Sequence, residues 1–286
     1  MFKFKNFLEN ENTKVIAKKE GMRVIEYQND LSVSPMYATT AYFANKMNVK
    51  KRQVLIEIND NEYTVSSGAM QWTVGNVQME TGVKGVGDFV GKAIKGAVTK
   101  ESAVKPVYKG KGILVLEPTY RHILLEDLSE WEGGMVLDDG MFLACESKVK
   151  QSVVARSNIS SAVFGGEGLF NLKLEGSGIA ALESCVPRSE LIEITLSNDV
   201  LKVDGNFAVA WSGTLEFTVE KSSKTLIGSG ISGEGLVNVY RGTGKVLLAP
   251  VNGQAMDQTH SSKTPDNAGG SAVTNAAING LMGMLK

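Results

Sequence analysis

The chain has 286 residues, 43% hydrophobic and 21% charged, with a formal net charge of −1, which is the make-up of a soluble globular protein. So balanced a charge gives no overall field to gather nucleic acid or an anionic membrane. Two cysteines, Cys145 and Cys185, form neither a disulfide framework nor a CxxC pair and read as small core residues.

In chain order, residues 1–49 form a lead ahead of the main pattern. Its MFKFKNFLENENTK start is too interrupted by charge for a signal peptide. Val15 to Tyr27 predicts a hairpin turning at Glu20-Gly21, and Ala38 to Asn48 is ambiguous between helix and strand. Lys46, Lys50, Lys51 and Arg52 make a small basic cluster, expected to be a solvated face.

From residue 50 one grammar occurs three times. Gly110-Lys111-Gly112, Gly176-Ser177-Gly178 and Gly242-Thr243-Gly244 fall at intervals of 66 residues. Each lies between apolar runs and predicts the turn of a β-hairpin. Ahead of each, an apolar strand closes in a polar turn, at Ser66-Ser67-Gly68, Asp138-Asp139-Gly140 and Asp204-Gly205-Asn206. A strand then alternates in unit one (Met70, Trp72, Val74) and in unit three (Phe207, Val209, Trp211). In unit two, Met141 to Cys145 is apolar throughout, as for a strand buried on both faces. Pro118 and Pro250 should stop strands at matching positions. The spacing predicts an all-β fold of three repeated β units, at about 50–118, 119–184 and 185–250.

Two segments break the pattern. Asp88 to Lys100 has helical spacing, with Phe89, Val90, Ile94 and Val98 forming an apolar stripe beside Lys92 and Lys95. After Val251 the composition turns polar, as in a flexible tail, and the chain ends in AAINGLMGMLK, where Leu281, Met282 and Leu285 share a face. The plainer reading of 88–100 is a helix docked over an open sheet end; left exposed, these nine residues are the candidate interaction surface, suited to a protein partner, self-association or a membrane surface.

No enzyme signature is complete. His122 and His260 are the two histidines, too few for the imidazole-rich metal site of a β-sandwich enzyme. A nucleophile relay would have to use His122, at the Tyr-Arg-His entry to an apolar strand. GVGDFVGKA lacks both the glycine spacing and the Ser or Thr of a phosphate loop. Glu101, Glu167 and Glu234 recur ahead of the glycine pairs, and Glu167 and Glu234, each inside a Gly-Glu-Gly, read as turn carboxylates; convergence of the three on a common axis would require a cation or protons. Nothing predicts a catalytic residue, a metal or a cofactor, and nucleic acid is not expected to be a partner.

GAMQWTVGNV (68–77), GKAIKGAVTKES (91–102), GGEGLFNLKLEGSG (165–178), NDVLKVDGNFAVAWSG (198–213) and SGEGLVNVYRGTGKVLLAP (232–250) together resemble a bacterial member of the altered inheritance of mitochondria protein 24 family. The resemblance implies three β-sandwich units about a pseudo-threefold axis, similar to the tryptophan RNA-binding attenuation protein. Eukaryotic relatives are linked to mitochondrial inner-membrane organisation; the family brings no catalytic residues. The attenuation protein's tryptophan and RNA sites match nothing here residue by residue. The expected function is a non-enzymatic, cytoplasmic β scaffold, a homo-oligomer that binds a protein or membrane surface. The alternative is a small-ligand or RNA binder using crevices between units.

Overall fold

A computed structural model describes residues 2–81, 105–155, 170–221 and 236–251. Within them, β1 (Thr13–Lys19) and β2 (Met22–Tyr27) form the expected hairpin, with Glu20 at a φ of 46° in the turn. Ala38–Lys46 is a helix, α1. The first unit contributes β3 (Arg52–Val65), β4 (Met70–Glu80) and β5 (Val107–Leu116). The second contributes β6 (His122–Asp127), β7 (Met135–Leu137), β8 (Phe142–Glu146), β9 (Lys150–Ala155), β10 (Phe170–Glu175) and β11 (Ile179–Ser184). Then follow β12 (Ile192–Asp204), β13 (Ala208–Ser212), β14 (Glu216–Lys221) and β15 (Leu236–Leu248). The architecture is mostly β, in two curled sheets.

One sheet runs β1-β2-β3-β8-β11-β6, with β5 on β3 and β4 on β5; the other runs β12-β15-β13-β7-β10-β9, with β14 on β15. The polar turns fall where the spacing placed them. Gly68, Gly140 and Gly205 each take a positive φ there (79°, 75° and 61°), a backbone region that glycine enters without strain.

The glycine pairs are not hairpin turns, which corrects the reading from sequence. β10 and β11 flank Gly176-Ser177-Gly178, yet β10 pairs with β7 and β9, and β11 with β6 and β8. The chain there steps from one sheet into the other. Gly110 and Gly242 sit inside the single long strands β5 and β15, at φ of 113° and 118°. Opposite them the register slips, between Asn59 and Glu62 on β3 and between Leu196 and Asp199 on β12. An extra residue against a left-handed glycine is a bulge, and it bends a strand without ending it. Glycine between two apolar runs marks a corner of either kind; which runs pair decides which kind.

The apolar residues sort into layers. Val54, Ile56 and Leu114 share one core with Leu125, Leu143 and Ala181 of the second unit. Leu124, Phe142 and Leu182 face the next, with Leu137, Leu174, Val209 and Leu247. Neighbours Leu124 and Leu125, and likewise Phe142 and Leu143, therefore point into different cores, so β6 and β8 are buried on both faces. That is the burial expected of Met141 to Cys145. Trp211, Phe217 and Tyr240 fill a third core in the last unit. A fourth lies where Phe4, Phe7 and Leu8 cover Leu55, Trp72, Val74 and Val115.

Candidate interaction surface

The nine residues singled out from sequence (Phe89, Val90, Lys92, Lys95, Ile94, Val98, Leu281, Met282 and Leu285) lie outside the described residues. So do Glu101, Glu167, Glu234 and His260. The surface found among the described residues is α1, left ambiguous by the sequence.

Pro35 opens a single 3-10 turn, Pro35–Tyr37, that leads into α1, a position where its fixed φ and missing N–H cost nothing. Three alanines, at 38, 41 and 44, favour the helix. At its C-terminus Asn48 takes a φ of 64°. The Val49 N–H donates to the Ala44 carbonyl at 3.0 Å and the Asn48 N–H to Asn45 at 3.0 Å. These are the paired bonds of a left-handed helix stop, which satisfy the last carbonyls.

The helix faces the wrong way for a surface helix. Ala41, Ala44 and Asn45, spaced to share one face, are half-buried, and Asn45 donates its side-chain amide to the Gln28 carbonyl. The bulky apolar side chains point outward. Tyr37, Tyr42, Phe43 and Met47 expose 60%, 58%, 62% and 78% of their surface, and Met36 exposes 83%. No residue of the helix is buried. A surface helix normally buries its apolar stripe, and contiguous exposed apolar residues mark contact surfaces.

A charged clamp holds this platform to the sheet. Arg52, which the basic cluster led us to expect in solvent, is instead 1% exposed. Its Nε donates to Glu26 at 3.1 Å, Nη1 to the Lys50 carbonyl at 3.2 Å, and Nη2 to the Asn48 carbonyl and side chain at 3.0 and 2.8 Å. A buried guanidinium requires that satisfaction. Lys50 also reaches Glu26, at 3.3 Å, and Lys51 reaches Asp30, at 3.3 Å. Burial alone would raise the Glu26 carboxyl, but Arg52 and Lys50 outweigh it and hold its pKa below the usual value. Tyr120 donates to Asp30. That bond, with burial adding to it, raises the phenol to about 12 and keeps the carboxylate ionised.

His122 opens β6 opposite Ser184, beside this clamp. Burial, then the positive charge of Arg52, lowers its pKa to about 4 against the pull of Glu26. It is a neutral imidazole at pH 7. Cys145 is buried, and burial pushes its thiol up to about 12, far from a reactive thiolate. Among the described residues no group of three or more His, Cys, Asp or Glu side chains is placed to hold a metal ion. No helix there is long and apolar enough to cross a membrane.

The platform is cationic. No Asp or Glu occurs between Leu31 and Ile56, a stretch that contains Lys46, Lys50, Lys51 and Arg52. The carboxylates that meet it, Glu26 and Asp30, engage Arg52, Lys50 and Lys51, whereas Lys46 sits over the Tyr42 ring, 5.2 Å from its centroid.

The family model described as Mitochondrial biogenesis AIM24 matches residues 46–251. The chain belongs to that family. An uncharacterised protein of Streptococcus pyogenes serotype M6, M6_Spy0233, is 31% identical over 196 residues, which cover 66% of this chain and 76% of that protein. The crystal structure of protein SPYM3_0169 from S. pyogenes aligns with a TM-score of 0.55 at 25% identity, over 83% of this chain and 97% of that one. The AIM24 match begins at Lys46, so most of α1 lies ahead of it.

Proposed function

We propose that this AIM24 protein is a non-enzymatic, cytoplasmic β scaffold that docks on an anionic membrane surface through α1. One observation carries the reading: a well-stopped helix keeps alanine and asparagine towards the sheet and turns Tyr42, Phe43 and Met47 to solvent. Tyrosine, phenylalanine and methionine beside lysine suit the boundary between lipid headgroups and acyl chains. A second copy of the same face would set Lys46 against Lys46, so the charge favours an anionic partner over an isologous dimer.

The body behind the platform is, on this reading, three copies of one β-sandwich unit about a pseudo-threefold axis, similar to the tryptophan RNA-binding attenuation protein. The strand order supports it. β5 lies between β3 and β4, and β15 between β12 and the pair β13 and β14. In the middle unit β11 lies between β6 and β8, and β10 between β7 and β9.

Vesicle flotation tests the docking. The wild-type chain should float with phosphatidylcholine vesicles containing phosphatidylglycerol and far less with phosphatidylcholine alone. Tyr42→Ser/Phe43→Ser/Met47→Ser should cut the bound fraction at least about tenfold, since each buried apolar side chain contributes on the order of 1 kcal/mol or more. A triple variant that floats like wild type would overturn the reading. Wild type that ignores vesicles but captures an acidic protein through the same residues would replace lipid with protein.

A further inference from the structure

Two junctions between units are built alike. At the first, the end of β3 pairs with the latter part of β8, as Tyr63↔Glu146, Thr64↔Cys145 and Val65↔Ala144. At the second, β7 pairs with β13, as Met135↔Ser212, Val136↔Trp211 and Leu137↔Ala210. In both, the strand entering a polar turn pairs with the strand leaving the next unit's polar turn. The pieces of a third such junction are present. Leu201, Lys202 and Val203 enter the turn of the last unit, as Tyr63 to Val65 do in the first. Trp72, Thr73 and Val74 leave the turn of the first unit, and Trp72 faces Val115 as Ala144 faces Ala181 and Ala210 faces Leu247. Yet among the described residues β12 pairs only with β15, and β4 only with β5.

The cores tell the same story. Leu125 and Ala181 of the second unit are covered by the first, and Leu247 of the third by the second. Their counterparts in the first unit, Leu55 and Val115, have no strand of another unit paired ahead of them among the described residues, and Phe4, Phe7 and Leu8 cover them instead. Phe4 and Phe7 meet the Trp72 ring edge-on at 6.1 and 5.7 Å between centroids. This short aromatic strap, tied to the body at its far end by Thr13 donating to the Phe7 carbonyl at 2.5 Å, occupies the place of a missing neighbour.

We propose that the open β12 edge of one copy pairs with the open β4 edge of a second copy, with Val203↔Trp72, Lys202↔Thr73 and Leu201↔Val74 in register, and that residues 2–8 hold the β4 side until they are displaced. This rests on the repeat reading above. The occupant is a second copy because the two faces complement each other by the rule the chain already uses twice within itself. An unpaired strand edge is a template for another strand of matching pattern.

Disulfide trapping tests it. Lys202 and Thr73 are both exposed, and residues directly opposite in an antiparallel pair are close enough for a disulfide. Full-length Lys202→Cys and Thr73→Cys chains, each also carrying Cys185→Ser, are mixed in equal amounts under mild oxidation. A cross-linked heterodimer is expected, lost when Met79→Cys replaces Thr73→Cys and several-fold more abundant when residues 2–8 are deleted. Thr195→Cys with Lys245→Cys in one chain, directly opposite on β12 and β15, is the control for an internal strand pair. Both substitutions in one chain separate the remaining cases. A bond within the monomer and none in the mixture overturns the second-copy proposal and leaves the repeat reading standing. No bond in either, with the control formed, overturns both.

Discussion

Glu26 and Arg52 lie on neighbouring strands with Oε2 and Nη2 2.9 Å apart, and the arginine side chain is 1% exposed. Charge taken so far out of water is tolerable only while both partners remain. Arg52→Met should therefore cost about 3–5 kcal/mol, read as a shift in the urea midpoint. Glu26→Leu combined with Arg52→Met should recover much of that loss, because no bare charge is left behind. An additive double variant would show that the pair is not coupled.

The same clamp sets an acid limit. The His122 pKa is about 4 in the folded chain and about 6.5 when unfolded. Between those values the unfolded chain binds a proton that the folded one refuses, so stability falls as pH drops from about 6.5 towards 4. Glu26, whose folded pKa lies below its ordinary 4.5, contributes stability that is present above 4.5 and is lost as pH falls further. His122→Asn should flatten the upper part of this profile and leave the lower part; urea midpoints at pH 7, 5.5 and 4.5 would show it.

Glycines 66 residues apart should not be equally replaceable. A Cβ on Gly110 would sit 2.2 Å from the Asn76 carbonyl oxygen, whereas on Gly176 the nearest atom, the Lys148 carbonyl oxygen, is 3.9 Å away. Gly176→Ala meets only the left-handed backbone, about 1–2 kcal/mol. Gly110→Ala must also push β4 off β5 and should cost at least about 3 kcal/mol. Equal shifts in melting temperature would contradict this.

Removing the α1 ridge should barely touch stability. Tyr42→Ser and Phe43→Ser change exposed side chains and should each stay within about 0.5 kcal/mol of wild type. Asn45→Ala removes the amide bond to the Gln28 carbonyl and should cost about 1 kcal/mol. A ridge variant that unfolds the protein would mean these residues pack against something after all.

The sequence carried the strand positions well, because alternation and polar turns are local. Ser66-Ser67-Gly68 and its two counterparts fell where predicted, and the two-faced burial of Met141 to Cys145 was legible as an unbroken apolar run. Pairing partners were not. Gly176-Ser177-Gly178 has the same local chemistry whether its flanking strands meet each other or join separate sheets, and only the long-range register of β10 on β7 and β11 on β6 decides it. The platform escaped notice for a related reason. Ala38 to Asn48 has apolar residues at helical spacing, but nothing local says which face meets the sheet. Arg52 read as solvated because the partner that buries it, Glu26, is on another strand, 26 residues away.

The middle third of the chain gives β6, β8 and β11 to one sheet and β7, β9 and β10 to the other. A cut anywhere from residue 138 to 178 divides the strands of both sheets, so neither piece keeps a finished sheet. The smallest piece of this chain that could stand alone is therefore larger than the smallest piece held together by hydrogen bonds.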